Sequence, residues 1–273
     1  MKTLTDVSDY EKISLKIRRT VLEMVFRTES PHIGSSFSIV EILVALYFKV
    51  LNISPDSTFD PARDRFILSK GHACLALYAI LAERGFISKD DLDGFAINGG
   101  TFEQHPNIDL IRGIEVSTGS LGHGLSIATG MALAGKAEGS EYKVYALLSD
   151  GELNEGSVWE AIMFAGHHEL SNLVALVDYN KIQALGFTRD ILNLEPLTEK
   201  WRCFGWDVQE IDGHSFAEIF SALDSSSFSK KPKVIILNTV KGKGVSFMEN
   251  QLLWHYRSPD QEEYKRAIEE LSR

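Results

Sequence analysis

At 273 residues the chain is long enough for one large α/β domain or two small ones. With 44% hydrophobic and 24% charged residues it can bury a sizeable core, which excludes a disordered chain. A formal charge of -10, from 28 Lys plus Arg against 38 Asp plus Glu, argues against nonspecific binding to nucleic acid or an anionic membrane. A metal ion or a local basic pocket can still draw in an anion.

Met1 to Arg19 mixes charged and apolar residues and holds no signal-peptide core. A helix is predicted near Asp9–Glu29, as decoration on the main body of the fold. The most apolar stretch, Phe37 to Val50, is broken by Glu41 and Lys49 and is too short to span a bilayer. Ser38 and Glu41 have the spacing of a capping box, as do Ser215 and Glu218. Buried strands are predicted at Arg65–Ser69, Lys143–Ser149, Leu173–Asp178, Asp207–Ile211 and Lys233–Thr239. The second, third and fifth are nearly continuous apolar runs, which suits strands covered on both faces. A helix at about Ser157–His168 separates the second strand from the third. The loop after Asp91 decorates the sheet. Ser225, Ser226, Ser227 and Ser229, before Lys230-Lys231-Pro232, read as a helix-to-strand loop. Ser258-Pro259-x-Gln261 opens a last charged helix, Asp260–Ser272, which reads as a natural end. Cys74 and Cys203 form no disulfide framework or zinc spacing, so a reduced, cytoplasmic setting is expected.

Alternating strands and helices imply α/β architecture: a doubly wound, mainly parallel sheet in a single domain over residues 1–273. Ligands in such sheets bind beyond the carboxyl ends of the strands. The residues there are Lys70-Gly71-His72, Asp150-Gly151-Glu152, Asn180-Lys181 and Lys241-Gly242-Lys243-Gly244. Asp150 and Asn180 close two strands of one βαβ unit, which brings a carboxylate and an amide oxygen to one edge. Hard oxygen donors suit Mg²⁺ or Ca²⁺, with phosphate and water completing the shell. Gly151 would let the backbone turn sharply. The next helix would point its N-terminus at the same place, favouring a phosphate. Each residue alone is also an ordinary turn residue; their pairing on two adjacent strand ends favours the metal reading. Lys70, Lys241 and Lys243 either neutralise a phosphate or are solvated loop charges.

The stretch from Asp150 to Lys181 resembles the thiamine diphosphate motif. The chain as a whole resembles the N-terminal, diphosphate-binding domain of transketolase. The matching segments are SPHIGSS (30–36), LSKGHA (68–73), EQHP (103–106), EVSTGSLGHGLSIATG (115–130), SDGELNEG (149–156), VDYNKIQ (177–183) and KGKG (241–244) with Trp254-His255. They follow the family's order over nearly the whole sequence. The resemblance implies the thiamine diphosphate-binding fold, with Asp150, Asn180 and the Ile182 carbonyl holding the divalent metal. It implies that Gly151, His72 and His255 meet the diphosphate, and that Gly119 and Leu121 line the aminopyrimidine and thiazolium. Ser120, Glu152, Glu155 and Lys241 fall in the same segments and count with the cofactor-binding residues. Glu155 resembles an acidic residue that links active sites across the subunit interface. His32, His105 and His255 would be catalytic, since imidazole can take a proton from one sugar hydroxyl and return it to another. His123 could touch the cofactor, whereas His167, His168 and His214 read as structural. Departures from the family pattern are Ser149, Tyr179, Ser120, His123 and Tyr256, which bear on loop shape and substrate preference.

A transketolase has two further domains, and no segment here resembles them. The glutamate that activates the aminopyrimidine lies on the second of the three. The expectation is therefore the N-terminal subunit of a split transketolase of pentose phosphate-type carbohydrate metabolism. Together with a separate C-terminal subunit it would form an α2β2 heterotetramer that works on sugar phosphates. Alternatives are a deoxyxylulose-phosphate synthase-like or decarboxylase subunit, consuming a 2-oxo acid, and a noncatalytic cofactor-binding subunit.

Overall fold

The computed structural model describes residues 6–224, 226 and 229–272. The helices are α1 (Val7–Thr28), α2 (Ile33–Phe37), α3 (Val40–Ala45), α4 (Cys74–Arg84), α5 (Gly124–Glu138), α6 (Gly156–His167), α7 (Thr188–Ile191), α8 (Leu197–Cys203), α9 (Phe216–Leu223) and α10 (Gln261–Glu270). The strands are β1 (Arg65–Leu68), β2 (Val144–Ser149), β3 (Leu173–Tyr179), β4 (Ile182–Gln183), β5 (Gly186–Phe187), β6 (Asp207–Asp212) and β7 (Lys233–Asn238). Each of the five predicted strands ends within one residue of its expected bounds. The β4–β5 hairpin was not expected. Part of the predicted serine-rich loop (225, 227 and 228) lies outside the described residues.

One parallel sheet has the order β1-β2-β3-β7-β6. Every residue of β2 and β3 is buried, as continuous apolarity requires of strands covered on both faces. Alternation sorts their side chains. Val144, Ala146 and Leu148 join Ala175, Val177 and Ile236 in a core against α5, α6 and α8. Tyr145 and Leu147 join Val174, Leu176 and Ile235 in a core against α1, α3, α4 and α9. Each such buried aliphatic side chain contributes about 1.5–3 kcal/mol.

Several local readings change. The first helix is no decoration: Tyr10, Ile17, Val21, Leu22, Met24 and Val25 of α1 are buried in the second of these cores. Ser38 does not cap α3. It closes α2, and its hydroxyl donates to Asp178 Oδ2 at 2.7 Å. Glu41 instead pairs with Arg18 at 2.6 Å, both buried, and with His214 Nδ1 at 2.8 Å. Ser215 does cap α9, but Glu218 turns to the Asp212 amide. The cap of α10 is Asp260 with Glu263, not Ser258. Among the described residues no helix is long and apolar enough to cross a membrane.

Candidate functional site

The loops after β1, β2, β3 and β7 converge at the carboxyl edge of four adjacent strands. With α2 and the segments around His105 and His255 they enclose a cleft of about 250 Å³. It is lined by His32, Ser35, Lys70, His72, His105, Gly119, Leu121, Ser149, Asp150, Gly151, Asn180, Ile182, Gln183, Ala184, Lys241 and His255. A larger hollow of about 1220 Å³ lies at the opposite end of the strands. It mixes Lys49, Arg65 and Lys143 with Asp64, Glu138 and Glu141, and has none of this chemistry.

Asp150 is 1% exposed. Its carboxylate accepts from the backbone amides of Gly151 at 2.7 Å and Lys181 at 2.5 Å. Lys181 adopts φ 66, and this left-handed turn aims its amide at Asp150. Burial, then the neighbouring Asp178 carboxylate, push the Asp150 carboxyl up to about 6 despite these two amides. Asn180 Oδ1 accepts from the Ile182 amide at 3.1 Å, and the Ile182 carbonyl accepts from Lys241 Nζ at 3.1 Å. One carboxylate, one amide and one carbonyl therefore stand on the same wall. Among the described residues no three His, Cys, Asp or Glu side chains are grouped to hold a metal. The oxygen set fits Mg²⁺ or Ca²⁺, and a cation there would relieve the crowding of Asp150 by Asp178.

Gly151 is required for a different reason from the expected sharp turn. A Cβ there would come within 2.8 Å of Gln183 Cβ, so the constraint is space. Gly119 does have φ 153, and a Cβ on it would meet His105 Cδ2 at 2.9 Å. A 3₁₀ turn over Gly151–Asn154 separates β2 from α6, and the helix starts at Gly156, within one residue of its expected start.

Lys70 and Lys241 are 0% and 1% exposed, which rules out solvated loop charges. Lys243 is the surface residue, 3.7 Å from Glu249. Burial, then the charge of Lys70, bring the Lys241 ammonium down to about 8. His32, His72 and His255 form a cluster with ring centroids 5.0–5.6 Å apart. Burial followed by nearby positive groups lowers His32 to about 4 and His255 to about 3, and holds His72 well below the ordinary value. Burial lowers His105 as well. All four imidazoles are thus neutral at pH 7. His32 enters the cleft through φ 75 and ψ 16, a backbone strain of about 1–3 kcal/mol. Its amide donates to the His255 carbonyl at 3.1 Å.

Three expected residues do not line the cleft. Ser120 is exposed beside it. Glu152 is buried behind it, accepting from Ser69 Oγ at 2.5 Å and the Gly122 amide at 2.9 Å. That carboxylate ties the 119–122 loop to the ends of β1 and β2. Glu155 is exposed at the start of α6. His123 is likewise exposed, at the start of α5. His214 is structural as expected, with Nε2 accepting from the Val240 amide at 2.9 Å.

The residue missed in the sequence is Asp178. Fully buried, it accepts from Lys70 Nζ at 2.5 Å, Ser38 Oγ, Asn180 Nδ2 at 2.9 Å and Thr239 Oγ1. Burial opposes its ionisation, but Lys70 and the hydroxyl donors outweigh that and lower its carboxyl. It orients Asn180 and anchors Lys70 together. Tyr256, a departure from the family pattern, donates to the Ala184 carbonyl at 2.7 Å and braces the cleft edge.

An open parallel sheet with oxygen donors, imidazoles and buried ammonium groups at its carboxyl edge has the chemistry of a binder of an anionic cofactor. Similarity to known proteins specifies which. The sequence profile of the transketolase thiamine diphosphate binding domain matches residues 10–271. The chain is 42% identical to an apulose-4-phosphate transketolase subunit of Phocaeicola vulgatus, over 97% of this chain and 95% of that one. It is 45% identical to 6-deoxy-6-sulfo-D-fructose transketolase subunit SqwG of a Clostridium species, over 94% of each. The crystal structure of transketolase from Campylobacter jejuni superposes with a TM-score of 0.93 at 30% identity, over 98% of this chain. This chain belongs to the transketolase family and matches its thiamine diphosphate-binding domain. It spans 43% of that Campylobacter chain and 41% of human transketolase.

Proposed function

We propose that the chain is the cofactor-binding subunit of a two-chain transketolase that moves a two-carbon ketol unit from a ketose phosphate to an aldose phosphate. One observation carries this reading. Three hard oxygen donors, four neutral imidazoles and two buried ammonium groups share one cleft, within a domain that matches the family from end to end. Asp150, Asn180 Oδ1 and the Ile182 carbonyl would hold Mg²⁺ or Ca²⁺, and His72, His255 and Lys241 would face the diphosphate. Gly119 and Leu121 would supply backbone and apolar contacts to the rings. When bound, thiamine diphosphate supplies the carbanion that accepts the ketol unit, and the metal tethers its diphosphate. This chain's part is to hold that tail, exclude water and handle protons. A neutral imidazole at His32 or His105 can take a proton from a substrate hydroxyl and give it back. Glu152 positions the 119–122 loop. Exposed Glu155 is free to meet a second chain.

The companion would be a separate polypeptide carrying the rest of the active site, in an α2β2 assembly. Support comes from relatives of matching length that are named as transketolase subunits. The test is reconstitution with thiamine diphosphate, Mg²⁺ and the companion chain. Ketol transfer by the mixture and none by either chain alone is expected. Full turnover by this chain alone overturns the two-chain reading. Release of CO₂ from a 2-oxo acid in place of ketol transfer overturns the assigned reaction.

A further inference from the structure

The His255 ring makes a hydrogen bond inside the cleft. Its Nδ1 lies 2.9 Å from Lys241 Nζ, which also lies 3.1 Å from the Ile182 carbonyl oxygen. No described carboxylate comes within 4.0 Å of that ammonium. An ammonium has N–H bonds and no lone pair, so both contacts are donations by Lys241. The ring nitrogen that receives one of them carries no proton. In a neutral imidazole the proton then sits on the other nitrogen, Nε2. His255 Nε2 has no partner among the described residues, and the ring forms part of the cleft wall.

We infer that Lys241 is a positioning residue that fixes His255 as its Nε2–H tautomer, so that His255 presents a hydrogen-bond donor to the cleft. Its functional meaning rests on the proposed reading, because a donor at Nε2 suits an anionic phosphate or a developing alkoxide. The tautomer itself follows from the contact of Nδ1 with an ammonium donor. His32 supplies the contrast. Its amide fixes the His255 backbone, yet its own Nδ1 is buried with no partner among the described residues.

The test is long-range ¹H–¹⁵N correlation NMR on the histidine-labelled chain, with the His255 signals assigned through His255→Gln. His214 is an internal control, because its Nε2 accepts from the Val240 amide and its proton must sit on Nδ1, toward Glu41. The expected wild-type result is Nε2–H at His255, with Nδ1 displaced toward the position of a hydrogen-bonded acceptor. Lys241→Met should move that Nδ1 resonance to the position of a free acceptor, while the His214 pattern stays. Lys241→Arg should retain the wild-type pattern. A proton on His255 Nδ1 in the wild type overturns the inference whether or not the variants fold. So does an Nδ1 resonance unmoved in Lys241→Met with His214 intact. The measurement needs neither cofactor nor companion chain, so its failure is separate from a failure to reconstitute turnover.

Discussion

Replacing Lys70 by Met should destabilise the fold chiefly through the unpaired charge it strands in the interior. Lys70 and Asp178 have side chains 0% exposed, with Nζ and Oδ2 2.5 Å apart. Burying such a pair costs much of what its attraction returns, so the pair itself is worth little. Removing one partner strands the other, and that costs about 3–5 kcal/mol. Asp178 keeps donors from Ser38, Asn180 and Thr239, which favours the lower end of that range. A chain of this length gains about 0.6 kcal/mol per kelvin of unfolding entropy, so 3 kcal/mol is roughly 5 °C in thermal midpoint. Circular dichroism melts and urea titrations measure both. The deficit should be full at pH 7 and shrink at acid pH, where the stranded Asp178 takes up a proton. Adding Asp178→Asn should recover part of the loss, with a coupling energy above about 1 kcal/mol. A Lys70→Met loss below about 1 kcal/mol, or a double variant whose losses simply add, refutes the reasoning.

The Arg18–Glu41–His214 network predicts a pH dependence. Burial opposes ionisation of Glu41, but Arg18 and His214 bring its carboxyl down from 4.5 to about 2. A carboxyl lowered in the folded state adds stability above its unfolded value. That stability, about 3 kcal/mol here, fades as pH falls from 4.5 toward 2. Glu41→Gln should flatten the acid limb of the stability curve in that window, and an unchanged slope would count against the network. On α5, a Cβ at Gly124 would sit 2.2 Å from Ser69 Oγ and 2.8 Å from its Cα, so Gly124→Ala should cost about 1–3 kcal/mol. Gly130 faces open space in the same helix, and Gly130→Ala should stabilise by about 0.5–1 kcal/mol. Denaturant titration of the two variants should give opposite signs.

The sheet was legible because burial on both faces leaves a local mark, an unbroken apolar run such as Leu173–Val177. Strand order was not, since nothing within β7 says that it inserts between β3 and β6. Site residues that end strands could be read off individually, as with Asp150 and Asn180. Asp178 could not. A carboxylate at a strand end looks like any turn residue, and its partners Ser38, Lys70 and Thr239 arrive from separate loops. Ser38 and Glu41 show the opposite failure. Their spacing satisfies a local rule, but buried partners far along the chain, Arg18 and Asp178, outcompete the helix end for both side chains. The reason for Gly151 was not legible, because the Gln183 side chain that fills its space belongs to β4, two strands further along the chain.

How an acidic chain holds an anionic tail is settled by local charge. The ammonium groups of Lys70 and Lys241 are matched by the carboxylates of Asp150 and Asp178, and Lys70 is bound up with Asp178. The imidazoles of His32 and His255, lowered to about 4 and 3, add no charge at pH 7. The cleft therefore offers a diphosphate donors and shape but no net positive charge. A divalent cation alone would meet Asp150 and two neutral oxygens, with too few ligands to fill an octahedral shell. Each should bind weakly by itself, and each should complete the other's site. Titration of the reconstituted complex should show Mg²⁺ tightening thiamine diphosphate at least tenfold, about 1.4 kcal/mol of coupling. By reciprocity the cofactor should tighten Mg²⁺ by the same factor. Asp150→Ala should abolish the coupling while leaving weak, metal-independent binding. If thiamine diphosphate binds as tightly in chelator as in Mg²⁺, local charge does not govern the cleft, and the cation does not belong at Asp150.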